Sequence, residues 1–498
     1  MNAVKKFLFR LLIIFLAALI FSSCIERNDT STIGKSQDAF IVTTSSFPSD
    51  LNNEGLKDVS GSELSYMLFN GLVKYDVNGT IVPALCKSWE VLDNGLKFKF
   101  TLNDNLYFSN GEIIDAKSIK DFFISFLQSK LIDIKYKNML QPIFGVKEYL
   151  KTGKIDNIAI NVIDNKNIEF NLNSINSSFL GILSNPVFFI KDVSLCGSDW
   201  MNNYDKIVYS GPYRINSISN NMINLIKNDK YNGKYSINKN EIIYEKTLSE
   251  HAMAMFDLNN VDAMLDVPKS EQSRLNDEQY LDKASTENFY TLNFNLKNDS
   301  VKHQNVRKAI IDAIENAKNG DLTLKNLSFT KMVNTVDTIN SSQSVIDSIY
   351  DIKSLNVLLK DTNDSNNFME LLKKLLKDRY NIDLDIKYFN DDKDLLDSNY
   401  QMALLEISPD FLDEISYLES WQTGSDQNYF GFSNSQFDAS LLKAINSMDN
   451  VEEIKNCQDI LKGSYVTTIL GYEDKFLCIK NQDNNLFLDR MGVLRFDL

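Results

Sequence analysis

Histidine is scarce in this chain, which has two histidines among 498 residues. A typical zinc site needs several histidine or cysteine ligands close together, and neither His251 nor His303 has a second histidine or a cysteine nearby. The sequence also lacks the Gly-x-Ser-x-Gly, His-Glu-x-x-His and glycine-rich phosphate-binding patterns. These absences argue against a metal, a cofactor and catalysis. A secreted hydrolase, kept as the enzyme alternative, is disfavoured because no nucleophile and base pair stands out.

Cysteine is also rare, with five residues in all and no Cys-x-x-Cys pair. The four that follow Cys24 could form disulfides in an oxidising compartment or remain buried free thiols, and their spacing does not choose between these states. They are Cys86, Cys196, Cys457 and Cys478.

Basic residues are outnumbered, with 52 Lys and Arg against 67 Asp and Glu and a formal net charge of −15. A nucleic-acid partner is therefore not expected. Proline is sparse as well, with seven residues, and no Pro- or Ser-rich linker or internal repeat divides the chain. Because single cores stop growing near roughly 250–300 residues, we expect two lobes that share crossings of the chain.

The amino terminus has the layout of an export signal. Basic residues precede an apolar run from Leu11 to Phe21, which is shorter than the roughly 20 residues that cross a bilayer. The sequence Phe21-Ser22-Ser23-Cys24 resembles a bacterial lipobox, so residues 1–23 would be removed and Cys24 acylated. Residues 24–38 would then be a polar tether. An ordinary signal peptide or an N-terminal anchor is the alternative.

Asn-Gly pairs punctuate residues 69–116. Asn and Gly tolerate positive φ, so Asn78-Gly79, Asn94-Gly95 and Asn110-Gly111 predict tight turns, and Leu96 to Leu102 alternates apolar and polar residues between two of them. The pattern predicts a β-meander. Asn70-Gly71 follows a helix-like segment and could be its carboxyl-terminal stop.

A strand, helix, strand pattern dominates the later part of the chain. The predicted elements are strands at Leu355 to Leu359, Ile382 to Tyr388 and Met402 to Ile407, and a helix at Asn366 to Lys377. Short connections between them imply a right-handed parallel crossover. Since ligands of open α/β sheets bind outside the carboxyl ends of the strands, the turn after Ile407 is expected to face a cleft.

The order of motifs between Gly71 and Ala116 is the most specific signal. It comprises Gly71-Leu72-Val73, Val82-Pro83-Ala84-Leu85, Ser88-Trp89-Glu90, Asn94-Gly95-Leu96, Asn110-Gly111 and Ala116, and Ser210-Gly211-Pro212-Tyr213 follows later. This series resembles the signature of the bacterial extracellular solute-binding proteins of the oligopeptide-binding family.

The resemblance implies an α/β fold with two lobes, of the class II periplasmic-binding-protein type, with mixed sheets. The first lobe would comprise residues 39–290 and 480–498, with a β-rich subdomain at about 62–172, and the second lobe residues 291–479. Residues 316–350 have no clear counterpart in the family.

The resemblance also implies ligand-binding residues. Asp410 corresponds to the carboxylate that receives the α-ammonium of a peptide, with Asp413 as a neighbouring rival and an exposed surface role as the alternative. Ser45-Ser46-Phe47 follows a predicted strand at Phe40 to Thr44, and its backbone would pair with an extended ligand or be an ordinary strand end. The backbone of Ser408 would pair with the ligand on the opposite lobe. Trp421 would line a side-chain pocket or, as a lone Trp near a helix, pack in the core.

The function implied is that of the substrate-binding component of an ABC importer. It would be an exported, lipid-anchored monomer that captures short peptides between its lobes and presents them to a permease and its ATPases, without a cofactor. The alternative is a surface lipoprotein of the same fold that acts as a receptor, adhesin or chaperone, or binds another ligand.

Overall fold

The structure is a computed structural model of the full chain. It describes residues 39–53, 59–233, 239–320, 352–360, 363–389, 392–409, 412–480 and 486–496. The predicted signal peptide and Cys24 lie outside these residues.

The strands fall into one large mixed sheet and three smaller sheets within this part of the chain. They are β1 (Phe40–Thr44), β2 (Val73–Tyr75), β3 (Ile81–Pro83), β4 (Cys86–Leu92), β5 (Lys97–Leu102), β6 (Ile160–Val162), β7 (Asn167–Asn171), β8 (Tyr213–Ile218), β9 (Met222–Lys227), β10 (Glu241–Lys246), β11 (Ala263–Met264), β12 (Leu281–Phe294), β13 (Ser354–Leu359), β14 (Asp383–Tyr388), β15 (Met402–Ile407), β16 (Thr467–Ile479), β17 (Phe487–Leu488) and β18 (Leu494–Arg495). The large sheet has the order β14-β13-β15-β12-β16-β11-β1-β10-β9-β8.

The helices cover the sheets or connect their strands. They are α1 (Val59–Leu68), α2 (Ala116–Gln128), α3 (Ile134–Met139), α4 (Val146–Thr152), α5 (Phe179–Leu183), α6 (Trp200–Asn203), α7 (Ser249–Asp257), α8 (Gln272–Asp277), α9 (Gln304–Gly320), α10 (Asn363–Tyr380), α11 (Glu414–Glu419), α12 (Ser435–Ile445) and α13 (Val451–Ser464). Among the described helices, none is long and apolar enough to span a membrane.

We call the part built on β1, β8 to β11 and the four-stranded sheet the first lobe, and the part built on β13 to β15 the second lobe. The first lobe has one continuous apolar core, which extends from the large sheet into the four-stranded sheet. The described residues of the second lobe form two cores, one on each face of its strands: α9 and α10 pack on one face, and α11 to α13 on the other. This arrangement confirms the predicted α/β character, and the β13, α10, β14 unit is parallel as predicted.

The first lobe contains the predicted Asn-Gly turns. β2 pairs with β3 around Asn78-Gly79 and β4 with β5 around Asn94-Gly95, and Tyr107 bridges Ile113 around Asn110-Gly111. A single continuous meander is not formed, because β2 and β3 make a separate ribbon while the other sheet has the order β4-β5-β7-β6. The chain bends after Pro83, where Ala84 and Leu85 still donate their N–H groups to the carbonyls of Leu72 and Gly71.

Gly71 does not act as a left-handed helix stop. It has no positive φ, and a Cβ at this position would lie 2.6 Å from Cδ1 of Phe189. The glycine is therefore needed for a close approach of the backbone to a buried ring, and α1 already ends at Leu68.

Two long strands, β12 and β16, cross between the lobes. They pair antiparallel along most of their length, and β12 also pairs with β15. Ile479 packs in the first-lobe core and Tyr290 in a second-lobe core. The lobe boundaries that the sequence predicts near residues 290 and 480 stay a prediction.

The four described cysteines are free and buried. The open choice between disulfides and thiols is thus resolved in favour of thiols, which pack as small apolar side chains.

Candidate ligand-binding cleft

Strand ends from the two lobes face each other across one crevice. β1 runs parallel to β10 and β11, and β12 runs in the same direction because β16 is antiparallel to both β11 and β12. β15 is antiparallel to β12, and β13 and β14 are parallel to β15. The carboxyl ends of β1, β10 and β11 therefore point toward those of β13, β14 and β15, where α/β sheets bind ligands.

The floor of this crevice is an irregular stretch of the two crossing strands. Ser285 pairs with Asp474 and Phe289 with Tyr472, so three residues of β12 lie opposite the single residue Glu473. The Thr286 hydroxyl donates to the Glu473 carbonyl at 2.9 Å. A bulge of this kind interrupts the ladder and bends the strand, which suits the segment that joins two lobes.

Acidic side chains gather around Lys475 in the crevice. Lys475 pairs with Glu473 at 2.9 Å. Burial acts to lower the pKa of Lys475, but Glu473, Glu406 and Asp266 together raise it. Burial and the nearby Glu473 raise the pKa of Glu406, and Lys475 acts in the opposite direction. The three carboxylates outnumber Lys475 and Lys360, the two lysines whose charges act on Glu406, so the crevice attracts positively charged groups.

A second cluster of charged side chains, around Arg490, lies beside the cluster around Lys475. Arg490 pairs with Glu287 on β12. Burial, Glu287 and Glu414 raise the pKa of Tyr472, and Arg490 lowers it. Because Glu414 begins α11 of the second lobe and Glu287 lies in the crossing strand, the acidic character continues from one lobe to the other.

Hydrogen bonds join the first lobe to the segment that follows β15. Leu412 donates its backbone N–H to the Tyr75 hydroxyl at 3.1 Å. The Ser178 hydroxyl donates to Oδ2 of Asp413, and Oδ1 of Asp413 caps α11 by accepting from the Ile415 N–H at 2.8 Å. We call these contacts the seam.

Ser45, Ser46 and Phe47 lie directly after β1, as predicted, and therefore at the crevice. Both serines are exposed and Phe47 is half-buried against the first-lobe core. The Ser45 N–H already donates to Oδ2 of Asp266 at 2.6 Å. The Ser45 N–H is therefore not available to a ligand. Pairing of a ligand with the other backbone groups of this segment remains a prediction.

Ser408 follows β15 on the opposite side of the crevice and is half-buried. Its predicted pairing with a ligand remains a prediction. Asp410, the predicted amine anchor, lies outside the described residues, as does Cys24. The carboxylate of the rival Asp413 is occupied by the seam and by its helix cap.

Trp421 is part of a second-lobe core. Its ring is 3% exposed and stacks on Phe430 with centroids 5.6 Å apart. Tyr417 and Phe432 contact its edges. This burial favours the packing role that the sequence left open, and the pocket role remains a prediction.

Sequence reasoning did not single out Glu406, Lys475 or Arg490. One feature of the sequence could have indicated Glu406: it is the charged residue in an otherwise apolar strand, next to a predicted cleft. No such feature indicated Lys475 or Arg490, because lysine and arginine are plentiful and only the fold brings these two to the crevice. Within the described ranges, no group of three or more His, Cys, Asp or Glu side chains could hold a metal ion.

Comparison with known proteins gives one family and one fold. The sequence profile of the bacterial extracellular solute-binding proteins, family 5 (middle), matches residues 80–351. The chain is 21% identical over 443 residues to the dipeptide-binding protein DppE of Bacillus subtilis (strain 168), a match that covers 79% of this chain and 78% of that protein.

Two solved structures are similar over nearly their whole length. The periplasmic murein tripeptide binding protein MppA, in its unliganded open form, has a TM-score of 0.73 at 16% identity and covers 92% of this chain and 95% of its own. Haemophilus influenzae OppA in complex with the peptide RPPGFSPFR has a TM-score of 0.69 at 15% identity and covers 93% of this chain and 100% of its own. These likenesses confirm the predicted two-lobe, class II binding-protein fold.

Proposed function

This chain belongs to the bacterial extracellular solute-binding proteins of family 5, and we propose that it is the substrate-binding component of an ABC importer for short peptides. A peptide would be held between the lobes and delivered to a membrane permease driven by ATPases. The relatives that support the choice of ligand are DppE, a dipeptide-binding protein, and OppA, solved with a bound peptide.

The observation that carries this function is the convergence of strand ends from both lobes on one acidic crevice. A ligand that touches both lobes gains its full set of contacts only when they are closed, so it shifts the open and closed equilibrium. The excess of carboxylates over lysines matches a ligand that carries a free ammonium group.

The family consists of solute-binding proteins rather than enzymes. We propose that no bond of the ligand is made or broken, that no cofactor takes part, and that the protein works as a monomer. Ligand residues would pair with the backbone of Ser46, Phe47 and Ser408, while Asp410 would receive the ammonium group.

The proposed location is the outer face of a cell membrane or the periplasm, with the chain held by lipid on Cys24. Several acyl chains suffice for such an anchor because each buried CH₂ contributes about 0.8 kcal/mol. Growth with radiolabelled palmitate tests this part: label is expected in the wild-type protein and none in Cys24→Ser. Equal labelling of both would rule out Cys24 as the site.

Mass spectrometry of ligands that co-purify with the protein tests the function. A mixture of short peptides, released by denaturation, is the expected result. A protein that is empty and does not change its small-angle scattering profile when peptides are added would instead support the receptor or adhesin alternative.

A further inference from the structure

A second cavity, whose lining includes none of the charged residues described for the crevice, lies beside the β-rich part of the first lobe. Its volume is about 840 Å³, within the range of about 300–1,000 Å³ that small-molecule sites occupy. Most of its wall comes from α3, α4 and the segments that follow α3, α4 and β7, and the rest includes Ile415, Glu419 and Ile445 of the second lobe. We call it the seam cavity.

Amide side chains on its wall bond one another and the backbone. Nε2 of Gln141 donates to Oδ1 of Asn138 at 2.9 Å, and Nδ2 of Asn173 donates to the Gln141 carbonyl at 2.9 Å. These bonds leave the amide N–H groups of Asn138 as donors, and Oε1 of Gln141 and Oδ1 of Asn173 as acceptors. Donors and acceptors placed side by side suit a ligand whose hydroxyl groups both donate and accept.

An aromatic ring and balanced charges complete the wall. Phe144 lines the cavity and is 52% exposed, so its ring is accessible to a ligand there. A ring of this kind covers the apolar face of a small molecule while the amides bond its polar edge. The charged lining residues are Lys147, Lys154, Glu148 and Glu419, two of each sign. The wall therefore has no excess charge that would attract a ligand of the opposite charge.

The second-lobe part of the wall is fixed by bonds between the lobes. Ser178 lines the cavity and donates to Asp413, whose other oxygen holds the Ile415 N–H. The Ile445 carbonyl accepts from the Ser177 N–H at 3.1 Å. The cavity therefore has all its walls only while these bonds between the lobes are made.

We infer that the seam cavity binds an uncharged, hydroxyl-rich molecule of about disaccharide size. This ligand would favour the closed lobes and so, by the reciprocity of linked equilibria, tighten the binding of peptide in the crevice. The effect on peptide binding rests on the proposed function, whereas the binding of the sugar itself does not.

Saturation-transfer difference NMR with trehalose, maltose, sucrose and lactose, each at millimolar concentration, tests the site. Saturation is expected to reach the ring protons of at least one sugar in the wild type and to be lost in Phe144→Ala and Asn138→Ala. Ile163→Ala is the matched control, because Ile163 is an exposed apolar residue of the same lobe at 56% and does not line the cavity. Equal melting temperatures would show that all three variants are folded.

No transfer to any of the four sugars, or transfer that both cavity variants retain, would overturn the inference. Binding of a zwitterion such as L-glutamine in place of the sugars, lost in Phe144→Ala, would overturn the uncharged class. The Kd of trialanine is measured separately by calorimetry with and without the bound sugar. Failure of trialanine to bind at all counts against the proposed function, while sugar binding without any change in the trialanine Kd counts against the linkage.

Discussion

Tyr75 of the first lobe and Leu412 of the second are joined by a hydrogen bond of 3.1 Å from the Leu412 N–H to the Tyr75 hydroxyl. The Tyr75 side chain is 2% exposed, and burial raises its pKa well above the usual value, so the hydroxyl stays protonated. Net contributions of such bonds are about 0.5–1.5 kcal/mol, because water replaces them when the lobes part. Each bond of the seam therefore contributes modestly to the contact between the lobes.

Replacing Tyr75 with Phe removes the acceptor and keeps the packing. We expect trialanine to bind up to about tenfold more weakly, because closure loses one hydrogen bond. Calorimetry at constant salt gives the Kd. Tyr400→Phe is the matched control, since the Tyr400 hydroxyl bonds the Leu395 carbonyl within the second lobe. If both variants weaken binding to the same extent, the bond between the lobes does not contribute to closure.

A buried ion pair between Arg495 and Asp489 contacts the backbone of Tyr75. Arg495 is 1% and Asp489 4% exposed, and the Arg495 guanidinium donates to Asp489 at 3.1 Å and to the Tyr75 carbonyl at 3.3 Å. Burial raises the pKa of Asp489 despite the opposing effect of Arg495. Arg495→Met leaves a buried carboxylate without its cation, and we expect a loss of about 3–5 kcal/mol in the free energy of unfolding.

Urea unfolding measures that loss. The exposed pair of Lys117 and Asp121 offers a control, and Asp121→Ala is expected to cost about 1 kcal/mol or less. The double variant Arg495→Met with Asp489→Asn should recover part of the loss, because no uncompensated charge remains. A loss for Arg495→Met as small as that of the control would contradict this account.

Much of the fold could be predicted from local patterns. The bounds of β1 and β15 match the predicted strands to the residue, because each is a run of mostly apolar or β-branched residues next to polar turn residues. The amino-terminal half of β12 was not predicted, since Leu281 to Glu287 is largely polar and is a strand only through its pairing with β16. Its structure depends on a partner almost two hundred residues away, which no local pattern reports.

The site was less predictable than the fold. The place of the turn after β15 followed from topology and that of the segment after β1 from the family resemblance, but their chemical neighbours followed from neither. Ser178 bonds Asp413 across a separation of 235 residues, and Asp266 takes the Ser45 N–H across 221. Such pairs are set by how the lobes pack. Sequence therefore indicated where the cleft lies and left most of its polar contacts unassigned.

The stability of the protein should depend on pH through Glu406. Burial and Glu473 raise its pKa, and Lys475, Lys360 and a hydrogen bond from Tyr290 only partly offset them. When the pKa of a carboxyl group is higher in the folded than in the unfolded protein, its contribution to the free energy of unfolding is fully present at a pH below the unfolded pKa. That contribution is lost as the pH rises through the folded pKa. Glu406→Gln removes the loss, so its melting temperature should exceed that of the wild type at pH 7.

The gain should disappear at about pH 4, where Glu406 of the wild type is itself protonated. Scanning calorimetry at both pH values, with Glu112→Gln as a control on an exposed turn, measures it. A difference between Glu406→Gln and wild type that is the same at both pH values would show that the titration of Glu406 is not its cause.

The buried thiols should be unreactive in the native protein. Burial raises the pKa of Cys86, Cys196 and Cys478 to about 12, and that of Cys457 to about 11. With Cys24 replaced by Ser, Ellman's reagent at pH 8 should react slowly before denaturation and with all four thiols after it, because only the thiolate attacks. Mass spectrometry of the denatured chain separates the two states. If alkylation adds no mass before reduction but does so after it, the cysteines are in disulfides.

The proposed amine anchor makes the sharpest test of the crevice. Asp410→Ala should weaken binding of trialanine by about 10- to 100-fold, because a hydrogen bond between two charged groups is lost in a closed cleft. N-acetyl-trialanine has no ammonium group, so it should bind the variant and the wild type alike. Asp413→Ala is the matched control: its carboxylate bonds Ser178 and caps α11, so its loss should weaken both ligands equally through poorer closure. If Asp410→Ala weakens both ligands equally as well, Asp410 supports the loop and the ammonium group is bound by other carboxylates of the crevice, of which Glu406 and Glu473 are the first to replace.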